Sequence, residues 1–148
     1  MTTIQRSALM PYSAEQMYAV VIDIERYPDF LPWCAATEIL EQREDFMRAS
    51  IHMRKGKLNH AFSTQNRLVP GRQVHMELVD GPFRKLEGDW LLTPLPEDRG
   101  CKVELDLEFE FSNRLVGMLI GPVFTQIANS LVDAFCQRAH RLYREDKA

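Results

Sequence analysis

The chain has 148 residues, of which 45% are apolar and 26% charged, and its formal net charge at pH 7 is −3. A chain this long buries roughly 70% of its extended surface, enough for one real core, so residues 1–148 read as a single domain. The acidic balance argues against a surface given over to nucleic acid, and no DNA partner is expected.

Residues 3–10 read as a strand that Pro11 stops. Ser13 suits a helix N-cap, with Gln16 at the capping-box position and Tyr12 and Met17 as a hydrophobic staple. Met17, Tyr18, Val21 and Ile24 continue one apolar face, which predicts a helix of about three turns. "RYPDFLPWC" (26–34) ends it. Pro28 and Pro32 are expected to push Tyr27 and Leu31 out of the α region, leaving at most a short helical turn. Phe30, Leu31 and Trp33 load this stiff connector with apolar bulk, so it should pack over something greasy.

Between residues 35 and 112 the apolar period is two. Met47, Ala49, Ile51 and Met53 alternate before the turn "RKGK" (54–57), and Leu58, His60, Phe62, Thr64, Asn66 and Leu68 share the next inward face. Pro70-Gly71 suits a type II turn. Val74, Met76 and Leu78 follow, then Asp80-Gly81-Pro82, then Leu86, Gly88, Trp90 and Leu92 on one face. "VELDLEFEF" (103–111) alternates apolar residues inward with acids outward. These are the marks of an antiparallel sheet with one buried face, its strands joined by hairpins.

After Asn113 the period becomes 3.6. Leu115, Leu119, Val123, Ile127, Leu131, Ala134, Phe135, Arg138 and Leu142 trace a stripe opposed by Thr125, Asn129, Asp133, Gln137 and His140. Pro122 predicts a kink or break. The greasiest run, "LVGMLIGPVF" (115–124), has ten residues, too few to span a bilayer, and Arg6 and Glu15 bracket only short apolar pieces, unlike the apolar run of a signal peptide. A soluble protein is expected, with that run either a gate that touches lipid or a static cap.

Six or seven strands make a sheet roughly 25–30 Å wide, whereas one helix is about 10–12 Å across. The sheet must therefore curl around the helix, and the remaining gap is filled by side chains or left as a pocket. Gly88, inward and beside Trp90, either leaves room for a ligand or permits coiling and close approach.

"YPDFLPWC" (27–34), "DGPFRKLEGDW" (80–90) and "FEF" (109–111) resemble the coenzyme Q-binding, polyketide-cyclase-like family, in its bacterial ribosome-association toxin branch. The resemblance covers nearly the whole chain. It implies an α+β helix-grip (START-like) fold, a curved antiparallel sheet of six to seven strands wrapped around a long C-terminal helix. It further implies non-enzymatic binding of ubiquinone or a related lipid in support of respiration, with no other cofactor. The alternative that it implies is a translation inhibitor bound to the 50S ribosomal subunit.

Sequestering such a ligand calls for an apolar lining with few polar groups. The inward candidates are Trp33 from the connector, Phe62, Met76, Leu78, Phe83, Gly88 and Trp90 from the middle strands, and Leu107 and Phe109 from the last. Val123, Ile127 and Leu131 come from the long helix. Met47, Met53, Met76 and Met118 would make the lining compliant, and His60, Thr64 and Asn66 fit a polar end. Arg54, Lys55 and Lys57 form one basic cluster suited to a ribosomal surface, and Arg138, Arg141 and Arg144 another.

A cyclase-type enzyme is the weakest reading. His52, His60, His75 and His140 lack metal-ligand spacing, and no GxSxG elbow exists. His52 and His75 are expected to meet solvent. Cys34, Cys101 and Cys136 form no CxxC pair, which suits a reducing cytoplasm with at most peripheral contact at the inner membrane.

Overall fold

The computed structural model describes residues 1–144. Strand β1 (Thr2–Met10) leads into α1 (Ala14–Ile22), a 3-10 turn (Ile24–Arg26) and the single-turn α2 (Tyr27–Phe30). Then come β2 (Cys34–Arg43), β3 (Phe46–Lys55), β4 (Leu58–Val69), β5 (Gln73–Asp80), β6 (Phe83–Pro94) and β7 (Cys101–Phe111). The long helix α3 (Arg114–Tyr143) follows. All seven strands join one antiparallel sheet in the order β1-β7-β6-β5-β4-β3-β2. Helices α1 and α2 carry the chain from one sheet edge to the other, and each later strand lies beside its predecessor. The expected α+β helix-grip architecture is the one that forms.

Local chemistry explains the boundaries. Ser13 Oγ accepts from Gln16 N at 3.0 Å while Ser13 N donates to Gln16 Oε1 at 2.9 Å, a reciprocal capping box. Gly71 takes φ +74 in the Val69–Arg72 turn, a conformation that L side chains rarely adopt. Asn113 caps α3, its side-chain oxygen accepting from Val116 N.

Several expectations are corrected. Tyr27 keeps α geometry, φ −53 and ψ −41, although a proline follows it. Pro28 sits in the first turn of α2, where its missing N–H costs nothing. The buried Tyr27 ring is also anchored by its hydroxyl, which donates to Val21 O. Only Leu31, ahead of Pro32, is extended.

Helix α3 runs unbroken through Pro122. It is long and apolar enough by composition to cross a membrane, yet one face packs on β1, β7, β4 and α1. Its stripe is also rotated at the N-terminal end. Ile120, Phe124, Ile127, Ala128, Val132, Phe135 and Ala139 are buried, while Leu115, Leu119 and Leu142 are exposed. His140 is not on a free polar face either, because its Nδ1 lies 2.7 Å from the Tyr12 hydroxyl.

Gly88 takes the second of its two expected roles, close approach, and not the first, room for a ligand. A Cβ there would lie 2.7 Å from Asp106 O and 2.9 Å from Leu107 Cδ1. Gly88 pairs with Leu107 in the ladder, and the leucine side chain folds over the missing one. The residue serves close approach of β6 and β7, and its space is already taken. Gly88→Ala should therefore destabilise the fold by about 1–3 kcal/mol through overpacking, read from urea denaturation. Unchanged stability would mean that the two strands separate freely.

Candidate functional site

The connector and α3 close opposite sides of one cavity. Arg54 N donates to Trp33 O at 2.8 Å and Cys34 N to Leu31 O at 2.9 Å, pinning the connector to the end of β3. Phe135 of α3 then meets Tyr27, Phe30 and Trp90, with ring centroids 5.3, 5.5 and 4.9 Å away. At the other end, Phe62, Phe83, Phe109, Phe111 and Phe124 form a cluster of edge and stacked contacts that plugs the gap between sheet and helix.

Between these aromatic ends lies a cavity of about 90 Å³. Ile51 and Met53 of β3, Phe62, Thr64 and Asn66 of β4, Met76 of β5, Leu86 and Trp90 of β6 and Leu107 of β7 form its sheet wall. Phe124, Ile127, Ala128, Leu131 and Phe135 form the helix wall, and Ile24, Tyr27 and Trp33 the connector wall. None of these side chains carries a charge at neutral pH. Thr64 and Asn66 are 5% and 4% exposed, the two buried polar side chains among the described residues. Asn66 Oδ1 has no hydrogen-bond partner among those residues. Burial raises the Tyr27 hydroxyl far above its usual pKa, so it stays a neutral donor.

Residues 10–136 match the family described as polyketide cyclase / dehydrase and lipid transport. The chain belongs to that family. It is 51% identical over 96% of its length to the ribosome association toxin RatA of Pseudomonas aeruginosa, covering 98% of that protein. It is 29% identical over 93% of its length to a mitochondrial coenzyme Q-binding protein of Xenopus laevis, covering 57% of that chain. Among solved structures, an aromatase/cyclase from a Streptomyces species aligns with a TM-score of 0.74 at 15% identity, covering 95% of this chain and 94% of the other. At that identity the likeness concerns the fold alone.

In this member of the polyketide cyclase and lipid transport family, the structure gathers Trp33, Phe62, Met76, Trp90, Leu107, Ile127 and Leu131 around the cavity. Five other expected lining residues lie elsewhere. Phe83 and Phe109 belong to the aromatic plug, Leu78 sits beside Gly81 near the strand end, Gly88 is covered by Leu107, and Val123 is half-buried on the flank of α3. Met118 is 70% exposed and lines nothing, and Met47 lies behind Asn66, against a second void of about 20 Å³. His60 has the expected face, opposite Met53, but is exposed: β5 pairs with β4 only from Ser63 onward, so this stretch lacks cover. Sequence reading missed Ile24, Tyr27, Ile51, Leu86, Phe124, Ala128 and Phe135. A rotation of the α3 stripe by one residue would have found Phe124 and Ala128.

The cysteines are buried, and burial pushes each thiol up to about 11, so none supplies a thiolate at neutral pH. Arg138 is half-buried with its guanidinium 5.2 Å from the centre of the Phe30 ring, which takes it out of the expected basic cluster. His52 is half-buried rather than free in solvent, its Nε2 lying 2.6 Å from Asn59 Oδ1. His75 is likewise not free. On the outer sheet face its Nδ1 lies 2.8 Å from Asp89 Oδ1, and its Nε2 lies 3.1 Å from Glu77 and 3.4 Å from Glu87. His75, Glu77 and Glu87 place donor atoms within 4.8 Å of one another, and Arg67 completes an ion-pair network with Glu77.

Burial works to lower the His75 pKa, but the Asp89 hydrogen bond and charge, with Glu77, outweigh it and raise the net value. A histidine with a raised folded pKa adds stability that is complete below its unfolded value, about 6.5, and is lost as pH rises through the folded value. His75→Gln should therefore cost more stability at pH 5.5 than at pH 9. Equal losses in denaturant melts at both pH values would mean that the imidazolium is not what the carboxylates hold.

Proposed function

We propose that the protein binds an apolar ring-bearing molecule, of the quinone or related lipid class, between α3 and the sheet, as a carrier rather than a catalyst. The observation that carries this reading is the lining: aromatic and aliphatic on three walls, with Thr64 and Asn66 the sole side chains of β4 that bring polarity to it. Acid–base or nucleophilic chemistry needs a titratable group in reach of the substrate, and this lining offers neither carboxylate nor imidazole. The relative named as a coenzyme Q-binding protein supports the ligand class.

Size sets the terms of entry. The cavity holds about 90 Å³, while ligand pockets usually run to roughly 300–1,000 Å³. A ring with substituents must therefore displace side chains. Met53 and Met76 are unbranched at the cavity wall, and such side chains repack at low cost. On the outside of α3, Leu115, Met118 and Leu119 are 65%, 70% and 51% exposed, an apolar patch through which the protein meets a lipid surface transiently.

Both tryptophans of the chain, Trp33 and Trp90, line the cavity, so binding has a built-in reporter. A short-chain ubiquinone analogue should quench their fluorescence saturably. Ala128→Leu, which adds three carbons to the helix wall, should weaken that quenching about tenfold or more while the protein still melts cooperatively. Equal quenching of the variant would place the quinone outside the cavity.

A second reading is favoured by the identity with the ribosome association toxin over nearly the whole chain. Here the protein meets the large ribosomal subunit through the β3–β4 hairpin tip. Arg54, Lys55 and Lys57 are all exposed there, far from the acidic outer row of β7. Replacing the three with Ser should weaken co-sedimentation with 50S particles and flatten its dependence on salt. Profiles matching the wild type would move the contact to another surface or remove the ribosome role.

A further inference from the structure

Asn66 is an anomaly in the cavity wall. Its cross-strand neighbours on β3 and β5 are Met47 and Met76, so the ladder brings it no side-chain donor. It is 4% exposed, and its Oδ1 is fully enclosed without a partner among the described residues. Buried polar atoms in folded proteins nearly always have a partner, and leaving one without a partner is costly. A leucine would occupy the position without that cost. The amide therefore makes sense where something from outside the chain completes it.

We propose that the ligand of this cavity carries a hydroxyl group and donates it to Asn66 Oδ1. The inference rests on the cavity being a binding site, and it adds the chemical class of the occupant. An orphan acceptor selects a donor. A phenol or a hydroquinone ring brings an O–H into an otherwise apolar lining, and its aromatic body packs between Trp90, Phe135 and Leu131. The oxidised quinone carries only acceptors and leaves the Asn66 oxygen as it found it.

Phenol and toluene make the test, being nearly the same size and differing by one hydroxyl. In a wholly apolar cavity toluene would bind about tenfold tighter or more, since taking an unpaired hydroxyl out of water is unfavourable. Titrations of the wild-type protein followed by NMR should instead show phenol binding at least as tightly as toluene. Asn66→Leu should retain toluene and lose phenol by about tenfold or more. If toluene wins by tenfold in the wild type, the inference is overturned while the cavity remains a binding site. If neither binds, the binding-site reading fails and takes the inference with it. The wild-type comparison needs no variant to fold, and an unchanged phenol affinity in a folded Asn66→Leu protein also overturns the assignment.

Discussion

Seven strands, each presenting one apolar face, offer more surface than a single helix about 10–12 Å wide can cover. Much of this molecule follows from that mismatch. The sheet curls so that β4 reaches α3 as well as β1 and β7 do. The curl needs close strand contact, which Gly88 permits by bringing no Cβ against Asp106 O. What the helix leaves open is closed by the proline-stiffened connector at one end and five phenylalanines at the other. The cavity is the remainder.

Polarity is sorted with equal consistency. Glu104, Asp106, Glu108 and Glu110 stand outward on β7, where Lys102, Lys85 and Arg84 pair with three of them. His75 and its carboxylates likewise lie outside the sheet. Such exposed pairs contribute little to stability individually, but they keep charge away from the inner face. Against that background two polar side chains among the cavity-lining apolar ones are conspicuous. Thr64 and Asn66 lie on the same face of β4, where a period of two would put apolar residues if packing alone decided.

The site was legible where strands supplied it and less so where α3 did. Phe62, Met76, Trp90 and Leu107 could be named because a strand shows only two faces, and inward is decided by parity. Parity does not say how far along the strand the cover extends, which is why Phe83 and Phe109 fell in the plug and His60 in solvent. On α3 the difficulty was different. "LVGMLIGPVF" (115–124) contains no charged or strongly polar residue, so its hydrophobic pattern carries no phase. Past Gln126, polar residues restore the contrast, and Ile127 and Leu131 were placed correctly. Pro122 misled as well: packing on the sheet holds the helix together across a residue that would break it in isolation.

By itself, the sequence determined the order of elements, the antiparallel pairing, the capped start of α1 and the inward set of each strand. All of these depend on spacing between near neighbours in the chain. Tertiary structure alone decided which inward residues touch empty space, that Leu107 fills the place opposite Gly88, and that Asn66 stands between two methionines without a donor. These facts depend on distances between β3, β5, β7 and α3, segments far apart along the chain. Their separations are set by how one helix and one curled sheet share a common core, and no local pattern records that balance.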